Sequence, residues 1–136
     1  MLSFRFMKET DLEVANEIYE DCFAKEILGK DRKVFYRDNV LLAILDKKIV
    51  GMLTIDYMDD NFLDERTAYI SNVCVMPEYQ NMGIAYKMMM ECENICKANR
   101  VQVMKLTSNK ARKAAHKVYD KCAFEVYDTV VFKKNI

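Results

Sequence analysis

Ile70-Ser71-Asn72-Val73-Cys74-Val75-Met76-Pro77-Glu78-Tyr79-Gln80-Asn81-Met82-Gly83-Ile84-Ala85 is the stretch on which the reading of this chain turns. The run Ala68–Met76 reads as a strand, and Pro77, which has no N–H to give to a ladder, ends it. A tight loop follows, and a helix is predicted to begin near Gly83. Gly83 and Ala85 are small where larger side chains would obstruct an approaching group. The first N–H groups of a helix lack partners and carry the positive end of its dipole. Such a helix start seats phosphate oxygens. The stronger glycine patterns, G-x-G-x-x-G and G-x-x-x-x-G-K-[ST], are absent.

Outward from this junction, hydrophobic spacing predicts the remaining elements. Upstream, Leu2–Met7 alternates as a strand, and Thr10 with Glu13 forms a capping box. The stripe Leu12, Ala15, Ile18, Tyr19, Cys22, Phe23 marks the helix that follows. A shorter helix is expected over Arg32–Asp38. Val40–Leu45 and Ile49–Tyr57 read as a hairpin about Asp46-Lys47-Lys48. Downstream, Ala85, Met88, Met89, Cys92, Ile95 and Cys96 fall on one helical face. Val101–Thr107 is a predicted strand, Ala111–Lys121 a helix, and Phe124–Tyr127 with Thr129–Lys133 a closing hairpin. Hairpins and helical crossovers together make the class α/β mixed (α+β), not a doubly wound sheet.

The chain has 136 residues, enough for one domain, 1–136, with a core of its own. Hydrophobic residues at 51% and charged residues at 31% exclude a disordered tail and a fibrous repeat. The charges balance at 21 basic and 21 acidic, so no global field points to nucleic acid or a membrane. Residues 1–68 nonetheless carry 15 acidic and 10 basic groups, and residues 69–136 carry 6 and 11. This asymmetry suggests an anionic ligand on the C-terminal half and a cationic one opposite. Charge arrives early in Met1–Lys8 and no small-residue cleavage site follows, so no signal peptide is expected. Five cysteines, an odd number on apolar stretches, read as reduced buried thiols in a cytoplasmic protein. With His116 the only histidine, no metal site is expected.

Val75-Met76-Pro77-Glu78-Tyr79 followed by Gln80-Asn81-Met82-Gly83-Ile84-Ala85 resembles the signature of the GNAT family of acyl-CoA-dependent N-acyltransferases, V-x-P-x-Y then [RQ]-x-x-G-x-[GA]. A second family pattern is similar to Arg112, Ala115, His116, Tyr119 and Ala123-Phe124. There are departures. Gln80 stands for the commoner arginine and Ala123 for the usual glycine. The glutamate that serves as base in some protein-acetylating members has no counterpart in Ala68-Tyr69-Ile70, which weakens a lysine-acetylating reading.

The resemblance implies a mostly antiparallel, twisted central sheet flanked by helices, with acetyl-CoA as co-substrate. Backbone groups of Val73, Cys74 and Val75 are then expected to pair with the pantetheine arm, and one N–H to polarise the thioester carbonyl. The amides of Gln80, Asn81, Met82, Gly83, Ile84 and Ala85 are expected to hold the pyrophosphate, Asn109 to touch the cofactor, and the Lys110–Lys121 run to meet the remaining phosphate. Tyr119 is the expected general acid, since a phenol with a pKa of about 10 can protonate a departing thiolate. His116 is expected to face solvent or pack on the sheet, and Cys74 to be structural, because direct transfer is the family's usual route. Asp56, Asp59, Asp64, Glu26 or a water chain could take the amine proton, and the base stays open. The acceptor is a small-molecule or peptide amine, with no nucleic acid and no membrane as partner. Homodimers are common among relatives, and the closing hairpin offers an edge for pairing. A non-catalytic acyl-CoA-binding or sensing domain is the alternative. A nucleic-acid binder using Lys105–Lys121 is a third reading, disfavoured by the zero net charge.

Overall fold

The computed structural model describes residues 1–23 and 34–136. Five strands lie side by side in chain order: β1 (Leu2–Phe6), β2 (Val40–Leu45), β3 (Lys48–Asp60), β4 (Glu65–Val75) and β5 (Val103–Lys105). β1 to β4 run antiparallel, and β5 joins β4 in parallel. Helices α1 (Leu12–Phe23), α2 (Ile84–Ala98) and α3 (Lys113–Lys121) complete the mixed α+β fold that the sequence predicts.

Alternation along the strands divides the core between two faces. Leu41, Ala43, Leu53 and Ile70 pack with Met88, Met89 and Cys92 of α2 and with Tyr119 of α3. Val40, Leu42, Met52 and Cys74 point the other way, onto Ala15, Ile18 and Phe23 of α1. Each large apolar side chain so buried contributes about 1.5–3 kcal/mol, so the two faces together hold the helices to the sheet. The β2–β3 hairpin closes through Asp46 (φ 49°) and Lys47 (φ 71°). Two successive left-handed residues match the twist of paired strands. That is why β3 begins at Lys48, inside the expected loop.

Several expectations are corrected. The entry to α1 is a short 3₁₀ turn, Glu9–Asp11, with Lys8 as its N-cap and the capping carboxylate supplied by Asp11. The Lys8 N–H donates to Asp11 at 2.8 Å, and Arg5 donates two hydrogen bonds to the same carboxylate at 2.7 and 3.0 Å. A carboxylate held by a guanidinium displaces the weaker Thr10–Glu13 box. Of the helix expected over Arg32–Asp38, Arg32 and Lys33 lie outside the described residues. Val34–Arg37 is irregular, and Asp38 and Asn39 form a turn. Asn39 Nδ2 donates to the Ile55 carbonyl at 2.9 Å and to Asp56 at 2.7 Å. That grip draws the chain into β2 in an extended form.

β5 is three residues long, not seven, and the closing hairpin is absent. Among the described residues, 125–136 join no ladder. Val126, Val130, Val131 and Phe132 are 71–102% exposed. A hairpin needs a third strand or a helix to lean on, and three residues of β5 give it little edge. Asp128 alone also lacks the paired Asn-Gly chemistry of a two-residue turn.

A candidate acyl-CoA site at the open end of β4

Along its β5 side, β4 pairs only through Thr67, Ala68 and Tyr69, opposite Val103, Met104 and Lys105. From Ile70 to Val75 that edge has no partner strand among the described residues, while the β3 side stays paired as far as Gly51↔Val75. The cause lies within β4. The register slips between Met52 and Thr54, and Asn72, a non-glycine residue, sits at φ 52°. The extra residue is a β-bulge, which bends the strand and increases its twist. β4 therefore leaves β5 where the sequence motif begins.

The geometry at the strand end can be followed atom by atom. Met76 N–H donates to Val50 O of β3 at 2.8 Å. By strand alternation, Val75 turns its own backbone groups away from β3. Its carbonyl accepts hydrogen bonds from Gln80 Nε2 at 3.0 Å and from Cys22 Sγ at 3.4 Å. Gln80 thus braces the loop to the strand with its side chain, and its N–H donates to the Pro77 carbonyl at 3.4 Å, so it is not one of the free amides expected for the pyrophosphate. Gly51 opposes Val75 at close quarters, since a Cβ there would lie 2.9 Å from the Cys74 carbonyl.

After a 3₁₀ turn at Pro77–Tyr79, the loop into α2 holds two left-handed residues, Asn81 (φ 64°) and Gly83 (φ 78°). Gly83 is the N-cap of α2, and a Cβ on it would meet no atom within 4 Å. The space above the helix start is therefore open. The N–H groups of Asn81, Met82 and Gly83 meet no acceptor among the described residues, and the first amides of α2 are unpaired by geometry. Gln80 to Gly83 are exposed, Ile84 is buried and Ala85 half-buried. An exposed row of free donors at a helix N-terminus suits a diphosphate.

Tyr119 projects from α3 into the same apolar cluster as Val75, with Val73 packed against it. The residue is 8% exposed, and its ring meets Phe124 edge-on with centroids 6.0 Å apart. Burial pushes its phenol above the ordinary tyrosine value, and the nearby Arg112 opposes that rise. The chain then turns at Ala123, which takes the left-handed conformation (φ 66°) usual for glycine, and Phe124 N–H caps Tyr119 O at 2.9 Å.

The other expected residues are placed less centrally. Asn109 is exposed before α3, and its Oδ1 accepts the Ala111 N–H at 2.9 Å in a local turn. His116 is half-buried, with Nε2 3.1 Å from Ser108 Oγ. Lys113 and Lys117 are exposed on α3, whereas Lys121 lies over the Tyr86 ring at 4.3 Å. The carboxylates considered as bases sit toward the other end of β4. Asp59 pairs with Arg66 at 2.6 Å, and Asp56 stands opposite Tyr69. At about 3.3 Å per residue, these lie roughly 20–30 Å from Val75. Asp64 is in the β3–β4 turn beyond them, and Glu26 lies outside the described residues.

Sequence reasoning placed Arg112 in the second family pattern but not its reach to α1, and it gave Cys22 no place near the strand end. Arg112 is the N-cap of α3, a position where the helix dipole disfavours a cation. The sequence reading began this helix at Ala111, so that position was not legible in it. Its guanidinium covers the Phe23 ring at 5.5 Å and spans from α3 to the end of α1. Cys22 carried no signal, because only the packing of α1 brings it to β4.

Comparison with known proteins agrees with this geometry. The family model "Acetyltransferase (GNAT) family" matches residues 6–124. Among curated proteins none matches the sequence. Among solved structures, a transcriptional regulator from Bacillus halodurans C-125 is similar at a TM-score of 0.82 and 19% identity, over 100% of both chains. The aminoglycoside acetyltransferase meta-AAC0020 from an uncultured soil metagenomic sample, in complex with sisomicin, is similar at 0.79 and 19%, over 99% of this chain and 95% of that one. A predicted acetyltransferase from Clostridium acetobutylicum with acetyl-CoA is similar at 0.76 and 18%, over 98% and 96%. These identities establish the shared fold. With the family model spanning the bulged strand, the donor loop and Tyr119, the chain belongs to the acetyltransferase (GNAT) family.

Proposed function

We propose that this chain moves an acetyl group from acetyl-CoA to a primary amine by direct attack, with Tyr119 as general acid. The observation that carries the reading is the unpaired β4 edge running straight into the free amides before α2. An extended amide-bearing arm fits the edge as an added strand, and a diphosphate fits the helix start. On the stretch Val73–Val75, the Val73 backbone and the Val75 N–H would hold the arm, while the Cys74 backbone faces β3. Asn81, Met82, Gly83 and the first amides of α2 would hold the diphosphate, with the exposed lysines of α3 supplying positive field.

Acetyl-CoA, when bound, supplies an activated thioester. A backbone N–H at the free edge is a fixed donor for the acyl oxygen. Tyr119, as a phenol with an ordinary pKa of about 10, carries its proton at neutral pH, burial acts in the same direction, and it holds that proton for the departing sulfur. A protonated amine must first lose a proton, and bulk water at the open edge is the proposed acceptor of it. The acidic excess of residues 1–68 favours a cationic acceptor, and similarity to the aminoglycoside acetyltransferase supports a small polyamine as the first class to try. Five unbridged thiols suit a reducing, cytoplasmic setting. No helix among the described residues is long and apolar enough to cross a membrane. The exposed 126–132 segment is the surface on which a second copy would pair.

The test is titration calorimetry of acetyl-CoA, CoA and ATP, followed by thiol release with a panel of amines. Micromolar acetyl-CoA binding with ATP silent, and thiol release with an amine, is the expected result. Binding without release by any amine favours a sensing domain, and no binding of either CoA species overturns the reading.

A further inference from the structure

Beside the open end of β4 lies a pair of thiols that acetyl transfer does not use. Cys22, in the last turn of α1, is half-buried. Its sulfur is 3.4 Å from the Val75 carbonyl. Cys74, the residue before Val75, is 4% exposed and belongs to the apolar cluster beneath α1 against which Cys22 packs. Cys22 thus reaches the carbonyl of the residue next to Cys74, and both side chains pack in one cluster between α1 and β4. Arg112, stacked on Phe23, adds a positive charge to both, and the acid that faces Cys22 is Asp21.

We propose that Cys22 and Cys74 form a redox dithiol, which a hydroperoxide closes to a disulfide tying α1 to the open end of β4. Reactive thiols are partly exposed and electropositive in setting, and Cys22 alone of the pair meets both conditions. Cys22 is half-buried while Cys74 is 4% exposed, so an oxidant in solution reaches the Cys22 sulfur first. Cys22 is therefore the attacking sulfur and Cys74 the resolving one. The Cys22 thiolate attacks a peroxide oxygen, the O–O bond breaks, and an alcohol leaves once protonated, giving a sulfenic acid. The Cys74 sulfur then attacks Cys22, the S–O bond breaks, and water departs with the Cys74 proton. Two thiols are oxidised by two electrons in all, and one hydroperoxide is reduced to alcohol and water. A disulfide has its sulfurs about 2.05 Å apart, and the approach joins two side chains already packed in one cluster. Closure removes the Cys22 donor from the Val75 carbonyl and draws α1 onto the edge. On the acyl-CoA reading above, it should weaken acetyl-CoA binding.

The test treats the reduced full chain with stoichiometric hydrogen peroxide, blocks free thiols and maps the peptides by mass spectrometry. The expected product joins the Cys22 and Cys74 peptides, two hydrogens lighter, and dithiothreitol reverses it. Cys22→Ser should abolish the link and leave Cys74 unmodified. Cys74→Ser, if it folds, should stop at a sulfenic acid on Cys22 that dimedone traps. Cys22 and Cys74 both remaining free, or linkage to Cys92, Cys96 or Cys122 instead, overturns the proposal. The oxidised chain should bind acetyl-CoA at least tenfold more weakly until it is reduced. Unchanged affinity in fully linked protein overturns the gating, whereas no binding even by reduced protein overturns the acyl-CoA reading and leaves the disulfide standing.

Discussion

Thr67–Tyr69 and Val73–Val75 belong to one strand but not to one environment. The first segment is bonded on both sides, to β3 and to β5. It is further pinned where Arg66 donates to Asp59 and to the Asn99 carbonyl, while Arg66 N–H donates to Gln102. The second segment, beyond a bulge at Asn72, has β3 as its one partner strand, and side chains of Gln80 and Cys22 alone reach its other edge, at the Val75 carbonyl. The difference teaches that the candidate site arises from a ladder left unfinished. Backbone groups that would be costly if buried without partners are held at an open edge, where a ligand can complete them.

The comparison can be broken most sharply at Gly83. Gly83→Glu adds a negative charge where a diphosphate is expected and a side chain at φ 78°. A side chain at this left-handed φ is strained, at a cost of about 1 kcal/mol, but no protein atom lies near enough to clash, so the fold should persist with a small loss of stability that a thermal melt reads. Acetyl-CoA affinity should fall by about 100-fold or more, equivalent to roughly 2.7 kcal/mol, as read by calorimetry. Unaltered affinity would falsify the placement of the phosphates at α2.

Tyr119→Phe comes next. The ring and its contact with Phe124 are retained, so thermal stability and acetyl-CoA binding should hardly move. Turnover should fall by about 100-fold or more, the usual scale for a lost general acid. Full turnover in the variant assigns the proton to solvent or another group.

Gly51→Ala probes the bonded side of the open end. A methyl 2.9 Å from the Cys74 carbonyl must push β3 from β4, and overpacking of this kind costs about 1–3 kcal/mol. Urea unfolding should report that loss, accompanied by weaker acetyl-CoA binding because the edge itself moves. A stable variant would show that this end of the sheet is looser than its register implies.

The smallest effect is expected at the closed end. Hydrogen bonding from Arg66 holds the Asp59 carboxyl below its usual pKa. A group depressed on folding contributes stability that is present above its unfolded pKa, about 3.9, and that is lost as pH falls through the lower folded value. Asp59→Asn should therefore flatten the acid limb of a melting-temperature profile slightly and leave acetyl-CoA affinity unchanged. Any change in affinity would couple the two ends of β4 and undo the contrast between them.

Much of this was legible without coordinates. The Ala68–Met76 run, Pro77 and Gly83 locate the strand end and helix start to within a residue or so, because proline and glycine constrain the backbone locally. The α2 stripe and the β2–β3 hairpin were legible for the same reason, since their periodicities are set by neighbours in sequence. Asp11 was missed as the cap because its partner Arg5 comes from β1. The closing hairpin was read from alternation alone, and alternation does not say whether an edge exists to receive it.

By itself the sequence determined the class of fold, the family signature and the candidate phosphate-binding loop, all of which depend on contacts within a few residues. Tertiary structure alone decided that β4 parts from β5 after Tyr69, that Cys22 meets Cys74, that Arg112 reaches Phe23, and that the acidic hairpin lies far from Val75. Those outcomes depend on how a bulge turns one strand and on which face of α1 meets the sheet. Such distances are set by packing across the whole sheet, so no local spacing of residues encodes them.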